Sequence, residues 1–211
     1  MNRNLVGRLS LWFIFLPFLA YSQAVTPSQN AIDTRRYAIE VAGLRVGTMT
    51  ATRQPQASQT VTYTLISDVR VNFLVYKLKI YYKVINVFRR GQLQLSTVEN
   101  HTNRGDFSSK AEWKKDHYEI VAEQYKHSYR ATQTAPIAFA VTNLYFTEPA
   151  DQPTAFAEYF GDQFTILPGK NPGTYRARRD GREDEYQYEQ GRLVKIIKKN
   201  PLKNFIIRLL P

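Results

Sequence analysis

Residues 59–91 read QTVTYTLISDVRVNFLVYKLKIYYKVINVFRRG, and this stretch decides the fold class. β-branched and aromatic residues dominate it, and apolar side chains occupy every second position from Val69 to Val75 and again from Leu78 to Val84. That composition and that period of two are typical of β-strands, because successive side chains of a strand point to opposite faces. The stretch therefore predicts strands rather than helices.

The flanking segments continue the pattern. Residues 35–53, RRYAIEVAGLRVGTMTATR, predict two strands that meet around Gly43, while Gly47 inside the second strand predicts a bulge or a close backbone approach. Residues 92–102, QLQLSTVENHT, predict a hairpin partner for the run that ends at Gly91. Short strands and turn residues then alternate to the C-terminus, and Asp180-Gly181 is a strong hairpin signal.

One segment departs from this rhythm. Between Pro136 and Phe146, the apolar residues Ile137, Ala140, Val141 and Leu144 follow a helical spacing, and proline is tolerated in a first helical turn. We therefore predict one short helix, or a helical turn, within an all-β, mainly antiparallel domain of roughly nine to eleven strands.

The N-terminal residues have the pattern of a secretory signal peptide. Arg3 and Arg8 precede an apolar run, and small residues follow at Ser22 and Ala24, either of which is a candidate cleavage position. An uncleaved anchor is the alternative, but the run is shorter than the roughly 20 residues of a membrane span. We expect a signal peptide at 1–22, a flexible leader at 23–34 and a single β domain at 35–211, in a periplasmic or secreted protein.

Composition excludes several classes of function. The 211 residues contain no cysteine, which rules out disulfides, thiolate metal sites, a cysteine nucleophile and a lipid-anchored N-terminal cysteine. The net charge is +11, from 29 Lys and Arg against 18 Asp and Glu. Because export argues against nucleic acid, anionic partners outside the cytoplasm are better candidates, including the surface of a membrane.

Motifs for catalysis are sparse. The three histidines do not have metal-ligand spacing, and the sequence contains neither a G-x-S-x-G elbow nor a glycine-rich phosphate loop. We therefore expect no cofactor, no metal and no enzymatic activity. Paired carboxylates would suffice for a glycan or lipid hydrolase. The candidates for such a pair are Asp68, Glu99, Asp106, Glu112, Glu123 and the cluster 183–185, which we interpret as a solvated hairpin face.

The aromatic strands supply the candidate ligand site. Both faces of the run from Phe73 to Phe88 carry apolar side chains, which indicates either a central strand covered on both sides or the wall of an apolar groove. The candidate ligand-binding residues are Tyr63, Phe73, Tyr76, Ile80, Tyr82 and Phe88.

A basic stripe lies near the C-terminus. It is either a surface for anionic lipid or a set of lysines that protects an edge strand from pairing with other chains. The candidate contacts to an anionic surface are Lys195, Lys198, Lys199 and Lys203.

Several motifs occur together in one order: Tyr37-x-Ile39-x-Val41-x-Gly43-x-x-x-Gly47, then Ser67-Asp68-Val69, the aromatic strand through Tyr82 and Phe88, and Tyr145-Phe146-x-x-Pro149. In this the chain resembles a family of small exported Gram-negative bacterial proteins of unknown function. The first motif is also similar to another uncharacterised periplasmic β family. The resemblance implies a strongly curved sheet or half-open barrel, similar in outline to the half-barrels of periplasmic lipoprotein carriers, and it carries over no catalytic residue.

These observations lead to one functional hypothesis and two alternatives. We expect an exported envelope protein without enzymatic activity that binds an apolar or amphiphilic, lipid-like ligand in its curved sheet. The first alternative is a structural or protein-interaction module of the envelope without a ligand. The second is the glycan or lipid hydrolase with paired carboxylates.

Overall fold

The structure is a computed structural model that describes residues 31–73, 76–199 and 204–211. The side chains of Asn72, Phe73 and Tyr76 are outside the described part. The predicted signal peptide and Lys203 lie outside the described residues, as does the predicted leader up to residue 30.

The described chain forms fourteen strands and one 3-10 helix at Val141–Tyr145. The strands are β1 (Asp33–Val41), β2 (Leu44–Gln56), β3 (Thr60–Phe73), β4 (Tyr76–Arg89), β5 (Gln92–Thr102), β6 (Gly105–Trp113), β7 (Tyr118–Gln124), β8 (His127–Gln133), β9 (Thr154–Ala157), β10 (Asp162–Pro168), β11 (Thr174–Arg179), β12 (Arg182–Glu189), β13 (Arg192–Lys198) and β14 (Phe205–Leu209). β1 thus includes Asp33 and Thr34, the last two residues of the predicted leader.

All fourteen strands belong to one antiparallel sheet, in the order β8-β7-β6-β5-β4-β3-β2-β1-β14-β13-β12-β11-β10-β9. The first and last strands are neighbours, paired from Tyr37 with Leu209 to Val41 with Phe205. The sheet is therefore two meanders joined along the two ends of the chain. The predicted all-β, antiparallel, half-open architecture is confirmed.

The number of strands differs from the expected nine to eleven. One of the strands beyond that number is β9, Thr154–Ala157. Its residues Ala155, Phe156 and Ala157 are all buried, so the strand has no polar face and does not alternate. A four-residue strand covered on both faces lacks the period of two by which strands are recognised.

The predicted helix is present as a single helical turn that begins at Val141 rather than near Ile137. The residues before it are extended because their backbone groups bond to strands. The Ile137 carbonyl accepts from the Leu93 N–H at 2.9 Å, and the Phe139 carbonyl accepts from the Phe156 N–H at 2.9 Å. These tertiary hydrogen bonds compete successfully with the helical period of the side chains.

Residues 134–153, here called the plug, connect β8 to β9 and fill the concave face of the sheet. Hydrogen bonds fix the plug at several points. The Tyr118 hydroxyl donates to the Leu93 carbonyl at 2.7 Å and accepts from the Ile137 N–H at 3.2 Å. At the other side, the Tyr188 hydroxyl donates to the Leu144 carbonyl at 2.7 Å. The concavity is thus largely occupied by the chain itself.

The buried residues form two clusters around the plug. The larger one contains Leu144 and Tyr145 of the plug together with inward side chains of β1–β5 and β9–β14. The smaller one contains Ile137 and Ala140 of the plug, packed against side chains of β3–β7 and β9 that include Tyr118. The plug therefore links the two meanders through packing as well as through hydrogen bonds.

The sheet curls until strands near its two edges come into contact. These contacts involve side chains, and the edges are not joined by a ladder of strand hydrogen bonds. The Ser109 hydroxyl of β6 donates to the Tyr159 carbonyl at 3.0 Å. Gly161 packs so closely on Ile120 and Ala122 that a Cβ there would lie 2.8 Å from a methyl carbon of Ile120.

A separate finding is that, over the described residues, no helix is both long and apolar enough to traverse a bilayer.

Candidate functional site

A cavity of about 310 Å³, here called the pocket, opens at the end of the curled sheet that carries the β9–β10 and β11–β12 turns. One side of its lining is aromatic and aliphatic, and the other is charged. The main apolar side chains of the lining are Tyr82, Val141, Ala157, Phe160, Phe164 and Phe205. The charged ones are Glu158, Arg182, Glu183, Asp184, Lys198 and Lys199.

The register of β12 and β13 explains two of the charged residues. Asp184 is directly opposite Lys198, two positions beyond the buried pair of Tyr186 and Ile196, so both charged side chains point to the inner face. Their Oδ2 and Nζ atoms are 2.8 Å apart. Burial lowers the pKa of Lys198, but the nearby Asp184 carboxylate more than offsets this, and the pKa is raised overall. Lys198 is therefore a stable cation at neutral pH.

Glu183 and Lys199 form a second ion pair on the opposite, outer face of the same strands. The Glu183 carboxylate also contacts the Arg178 guanidinium, with 2.8 Å between Oε2 and Nε. The hydrogen bond from Lys199 lowers the pKa of Glu183, which keeps this carboxylate ionised. The two pairs alternate faces, so the mouth of the pocket has one ion pair inside and one outside.

Glu158 lies at the inner boundary of the pocket and is only 4% exposed. Its Oε1 accepts hydrogen bonds from the Asn86 side-chain amide at 2.7 Å and from the Thr142 N–H at 2.9 Å. Burial raises the pKa of Glu158, and these hydrogen bonds only partly counter it. The residue connects β4, the plug and the end of β9.

Phenolic side chains lie near Glu158 and near the Asp184–Lys198 pair. Burial raises the pKa values of Tyr82, Tyr145 and Tyr186 well above their usual range, so all three remain neutral. The Tyr186 hydroxyl is buried and has no hydrogen-bond partner among the described residues. A buried hydroxyl without a partner is uncommon, and it leaves a polar group next to the carboxylates of Glu158 and Asp184.

The aromatic wall is centred on Phe160. Its ring packs edge-on against Tyr159 and Phe164, with centroids 4.8 and 5.9 Å apart. The guanidinium groups of Arg179 and Arg182 lie over the same ring at 4.7 and 5.2 Å from its centroid. Cations near an aromatic face are attracted by the ring quadrupole, so this wall is apolar inside and cationic outside.

The residues predicted for ligand binding lie in different environments. Tyr82 lines the pocket, and Ile80 is half-buried against the larger core cluster. Tyr63 and Phe88 are buried in the smaller cluster, where Tyr63 packs on Phe146 of the plug with ring centroids 5.6 Å apart. The side chains of Phe73 and Tyr76 are outside the described part. Among the predicted ligand-binding residues whose side chains are described, Tyr82 is the one that lines the pocket.

The lysines of the predicted basic stripe also lie in different parts of the structure. Lys198 and Lys199 belong to the pocket, on opposite faces of the sheet. Lys195 pairs in register with Arg208 and lines a separate depression near the C-terminus. Lys203 lies outside the described residues. The described lysines therefore do not form one continuous surface.

The remaining candidates are surface residues. Asp68 points outward and pairs with Arg70 at 3.3 Å. His101 and His117 each contact a neighbouring aspartate, at 2.9 and 2.6 Å. Within the described residues, His, Asp and Glu side chains do not converge in a group of three or more that could hold a metal ion.

Sequence reasoning missed Glu158, Phe164 and the inward position of Asp184. For Asp184 a signal existed, since it alternates with Tyr186 and Tyr188 and therefore shares their face of the strand. Glu158 follows the apolar run Ala155–Ala157, but its burial depends on Asn86, which is distant in sequence. The sequence has no local signal for that contact.

Comparisons with known proteins define the family but no activity. The family model for "Domain of unknown function (DUF6134)" matches residues 37–210. No curated protein matches the chain. Among solved structures, the chain is similar to the crystal structure of a "Beta-barrel-like Protein of Domain of Unknown Function DUF1849 from Brucella abortus", with a TM-score of 0.56 and 11% identity over 84% of this chain and 95% of that chain.

At 11% identity this likeness shows the fold alone, and it agrees with the curled antiparallel sheet described above. The family match, in contrast, covers nearly the whole described domain, from Tyr37 in β1 through the plug to the end of β14. The predicted resemblance to a family of unknown function is confirmed. The chain belongs to the family described as domain of unknown function DUF6134.

Proposed function

We propose that this protein is an exported, non-enzymatic binding protein that takes a small amphiphilic ligand into the pocket. The observation that carries the proposal is the division of the pocket lining into an apolar wall, with Phe164 and Phe205, and a charged mouth, with Asp184 and Lys198. Such a lining matches a molecule with an apolar body and a polar head. Binding sites of this kind are mostly apolar with a few placed polar groups.

The size of the pocket limits the ligand. A volume of about 310 Å³ is at the lower end of the roughly 300–1,000 Å³ range of small-molecule sites. Because the plug fills the concavity beyond Val141, the apolar part of the ligand is a short chain or a small ring system. We therefore assign the ligand to the Tyr82 end of the predicted groove, not to the Tyr63 and Phe88 end.

A titration with a fluorescent medium-chain acyl probe tests this proposal. The mature protein should bind the probe saturably. The variant Val141→Trp fills the pocket from the 3-10 helix and should abolish binding, while Val121→Trp, on the outer face of β7, should leave binding unchanged. Non-saturable binding, or equal binding by both variants, would contradict the proposal.

Native mass spectrometry of the protein purified gently from its own envelope would identify the ligand class. We expect a co-purifying adduct of a few hundred daltons, which should be absent from Val141→Trp. A clean mass from every preparation would instead favour the protein-interaction module.

Two of the three carboxyl groups in the pocket lining, those of Glu158 and Asp184, favour one second candidate, a hydrolase. Burial raises the pKa of Glu158, as in a general acid, while Lys198 holds the Asp184 carboxylate at 2.8 Å. Hydrolysis of chromogenic glycosides or short-chain esters that is lost in Glu158→Gln would establish this activity. We rank it second because the hydrogen bonds of Glu158 to Asn86 and Thr142 already give this carboxyl group a structural role.

A further inference from the structure

The turns of an antiparallel meander alternate between the two ends of its strands, and one end of this sheet carries the pocket. This end is here called the pocket end. It carries the described turns 42–43, 103–104, 125–126, 158–161 and 180–181. The opposite end carries turns such as 57–59, 90–91 and 190–191. The two ends can therefore be compared as surfaces.

The pocket end has an excess of unpaired positive charge. Six exposed cationic side chains in or beside its turns have no carboxylate at ion-pair distance among the described residues. These are Arg45, Lys77, Lys79, Arg104, Lys126 and Arg182. Asp162 and Asp180 at this end share the single cation Arg179, and Asp106 pairs with His101, so these carboxylates offset only part of the six cationic charges. The free charge of the pocket end is therefore positive.

The opposite end also has cations, among them Arg89, Arg90 and Lys115, but it has free carboxylates as well. Among the described residues, neither Asp151 nor Glu189 has an ion-pair partner. Its surface is therefore mixed in sign, and it provides a matched control for experiments on charge.

Exposed apolar side chains occur among the cations of the pocket end. Leu44, next to the 42–43 turn, is 63% exposed, and Tyr125, in the 125–126 turn, is 40% exposed. The Arg104 guanidinium and the Lys126 ammonium lie 5.2 and 5.4 Å from the centroid of the Tyr125 ring. An exposed aromatic ring flanked by cations is the combination that binds the headgroup region of a bilayer.

This surface is continuous with the mouth of the pocket. His127, next to the 125–126 turn, hydrogen-bonds the Phe160 carbonyl at 2.9 Å and packs on the Phe160 ring with centroids 5.2 Å apart. Phe160 lines the pocket, and Arg182 lies over its ring while also lining the pocket. A surface that contacts the turns would therefore also face the pocket opening.

We propose that the pocket end docks on the surface of an anionic lipid bilayer, with Leu44 and Tyr125 in the headgroup region and the six free cations on anionic headgroups. Positive charge near a membrane surface is attracted to anionic lipid within about a Debye length, and apolar side chains add to that attraction. The inference rests on the proposed function, because docking in this orientation places the pocket where an amphiphile can pass between bilayer and protein.

Co-sedimentation with vesicles tests the docking. The mature protein should bind vesicles that contain phosphatidylglycerol at low salt, bind phosphatidylcholine vesicles far less, and be released by salt. The triple variant Lys79→Gln, Arg104→Gln, Lys126→Gln should weaken binding by about tenfold or more. The control triple Arg89→Gln, Arg90→Gln, Lys115→Gln removes the same charge from the opposite end and should retain binding within roughly twofold.

The charge variants should also be compared with Leu44→Ser, Tyr125→Ser, which keeps the charge and should weaken binding to anionic vesicles. Equal losses in the two charge triples would overturn the proposal, because they would indicate diffuse attraction by net charge. Absence of binding to anionic vesicles at low salt would also overturn it.

The acyl-probe titration in the absence of vesicles separates this inference from the proposed function. The Lys79, Arg104, Lys126 triple should keep probe binding, and Val141→Trp should keep vesicle binding. If the protein binds vesicles as expected but never binds the probe, the docking surface stands and the proposed ligand function fails.

Discussion

At the scale of single residues, Glu158 couples the stability of the fold to pH. Its carboxyl group is buried next to Lys198 and Tyr82, and burial raises its pKa above that of the unfolded chain. The folded state therefore holds this proton more tightly than the unfolded state. It follows that the contribution of Glu158 to stability is full below the unfolded pKa near 4.5 and is lost as the pH rises through the folded pKa.

We expect Glu158→Gln to be more stable relative to the native protein at pH 7.5 than at pH 4.5. Glutamine keeps an oxygen that can accept from Asn86 and Thr142, but it does not ionise. Urea denaturation at both pH values measures the difference. Glu158→Leu should instead cost about 1–3 kcal/mol, because the Thr142 N–H loses its acceptor in a buried site. A Gln variant with the same pH profile as the native protein would contradict the argument.

Two glycines of the first hairpin allow the cost of a positive φ to be compared with the cost of steric overlap between strands. A Cβ at Gly47 would overlap the Asp68 carbonyl oxygen and lie 2.9 Å from the Val69 Cα, since β2 and β3 approach closely there. Gly43 is open to solvent but has φ of +81°. We expect Gly47→Ala to cost about 1–3 kcal/mol in thermal or urea unfolding and Gly43→Ala about 1 kcal/mol. A smaller loss at Gly47 than at Gly43 would show that the strands can separate at low cost.

The local sequence correctly predicted the turn at Gly43 and the close backbone approach at Gly47, but it did not predict the burial of Glu158. The hairpin turn at Asp180-Gly181 was also predicted, and both of its residues have positive φ, as such a turn requires. These features depend on neighbours in sequence or on one backbone conformation. The environment of Glu158 depends on Asn86, 72 positions away. A single sequence shows the side chain but not the contact that buries it.

At the scale of elements, the alternation of apolar and polar residues predicted the strands of the sheet. It did not predict the conformation of the plug, which fills the concave face. Long strands such as β3 and β4 show their alternation over many residues, and their positions followed from the sequence. The plug has helical spacing in its apolar residues, yet its first half pairs with β5 and β9. Tertiary hydrogen bonds decide the conformation of such a short segment, because a few helical turns are marginal by themselves.

We expect the plug to loosen when its tyrosine hydrogen bonds are removed. In Tyr118→Phe, Tyr188→Phe, the carbonyls of Leu93 and Leu144 lose their donors and the Ile137 N–H loses its acceptor. The cost should be about 1 kcal/mol for each tyrosine. Hydrogen exchange measured by mass spectrometry should rise in peptides that cover residues 137–146 and remain unchanged in β2 and β3.

A control for this variant is Tyr81→Phe, since Tyr81 lies on the outer face of β4, where its ring stacks on His101. It should leave exchange in the plug unchanged. Equal exchange rates in the double variant and the native protein would indicate that packing of Leu144 and Tyr145, rather than hydrogen bonding, holds the plug in place.

At the scale of the whole molecule, the two ends of the chain hold the two meanders together. β1 pairs with β14 over five residue pairs, and beyond them the Leu210 N–H donates to the Arg36 carbonyl at 2.8 Å. β14 also pairs with β13, so it is the only described strand between the N-terminal and C-terminal halves of the sheet. Since β14 pairs with β1, the long-range contacts that define the sheet require both strands to be present.

We expect truncation after Asn204, which removes β14, to abolish cooperative unfolding. Without β14, β1 and β13 each have an unpaired edge, and Ile207, only 3% exposed in the core, is lost. Near-ultraviolet circular dichroism and a urea titration should show loss of fixed tertiary packing, while removal of Pro211 alone should change neither. β14 forms no ladder with β3 or β4. A truncated chain that unfolds as cooperatively as the native protein would therefore mean that the plug, together with contacts such as that of Ser109 with Tyr159, is enough to couple the two meanders.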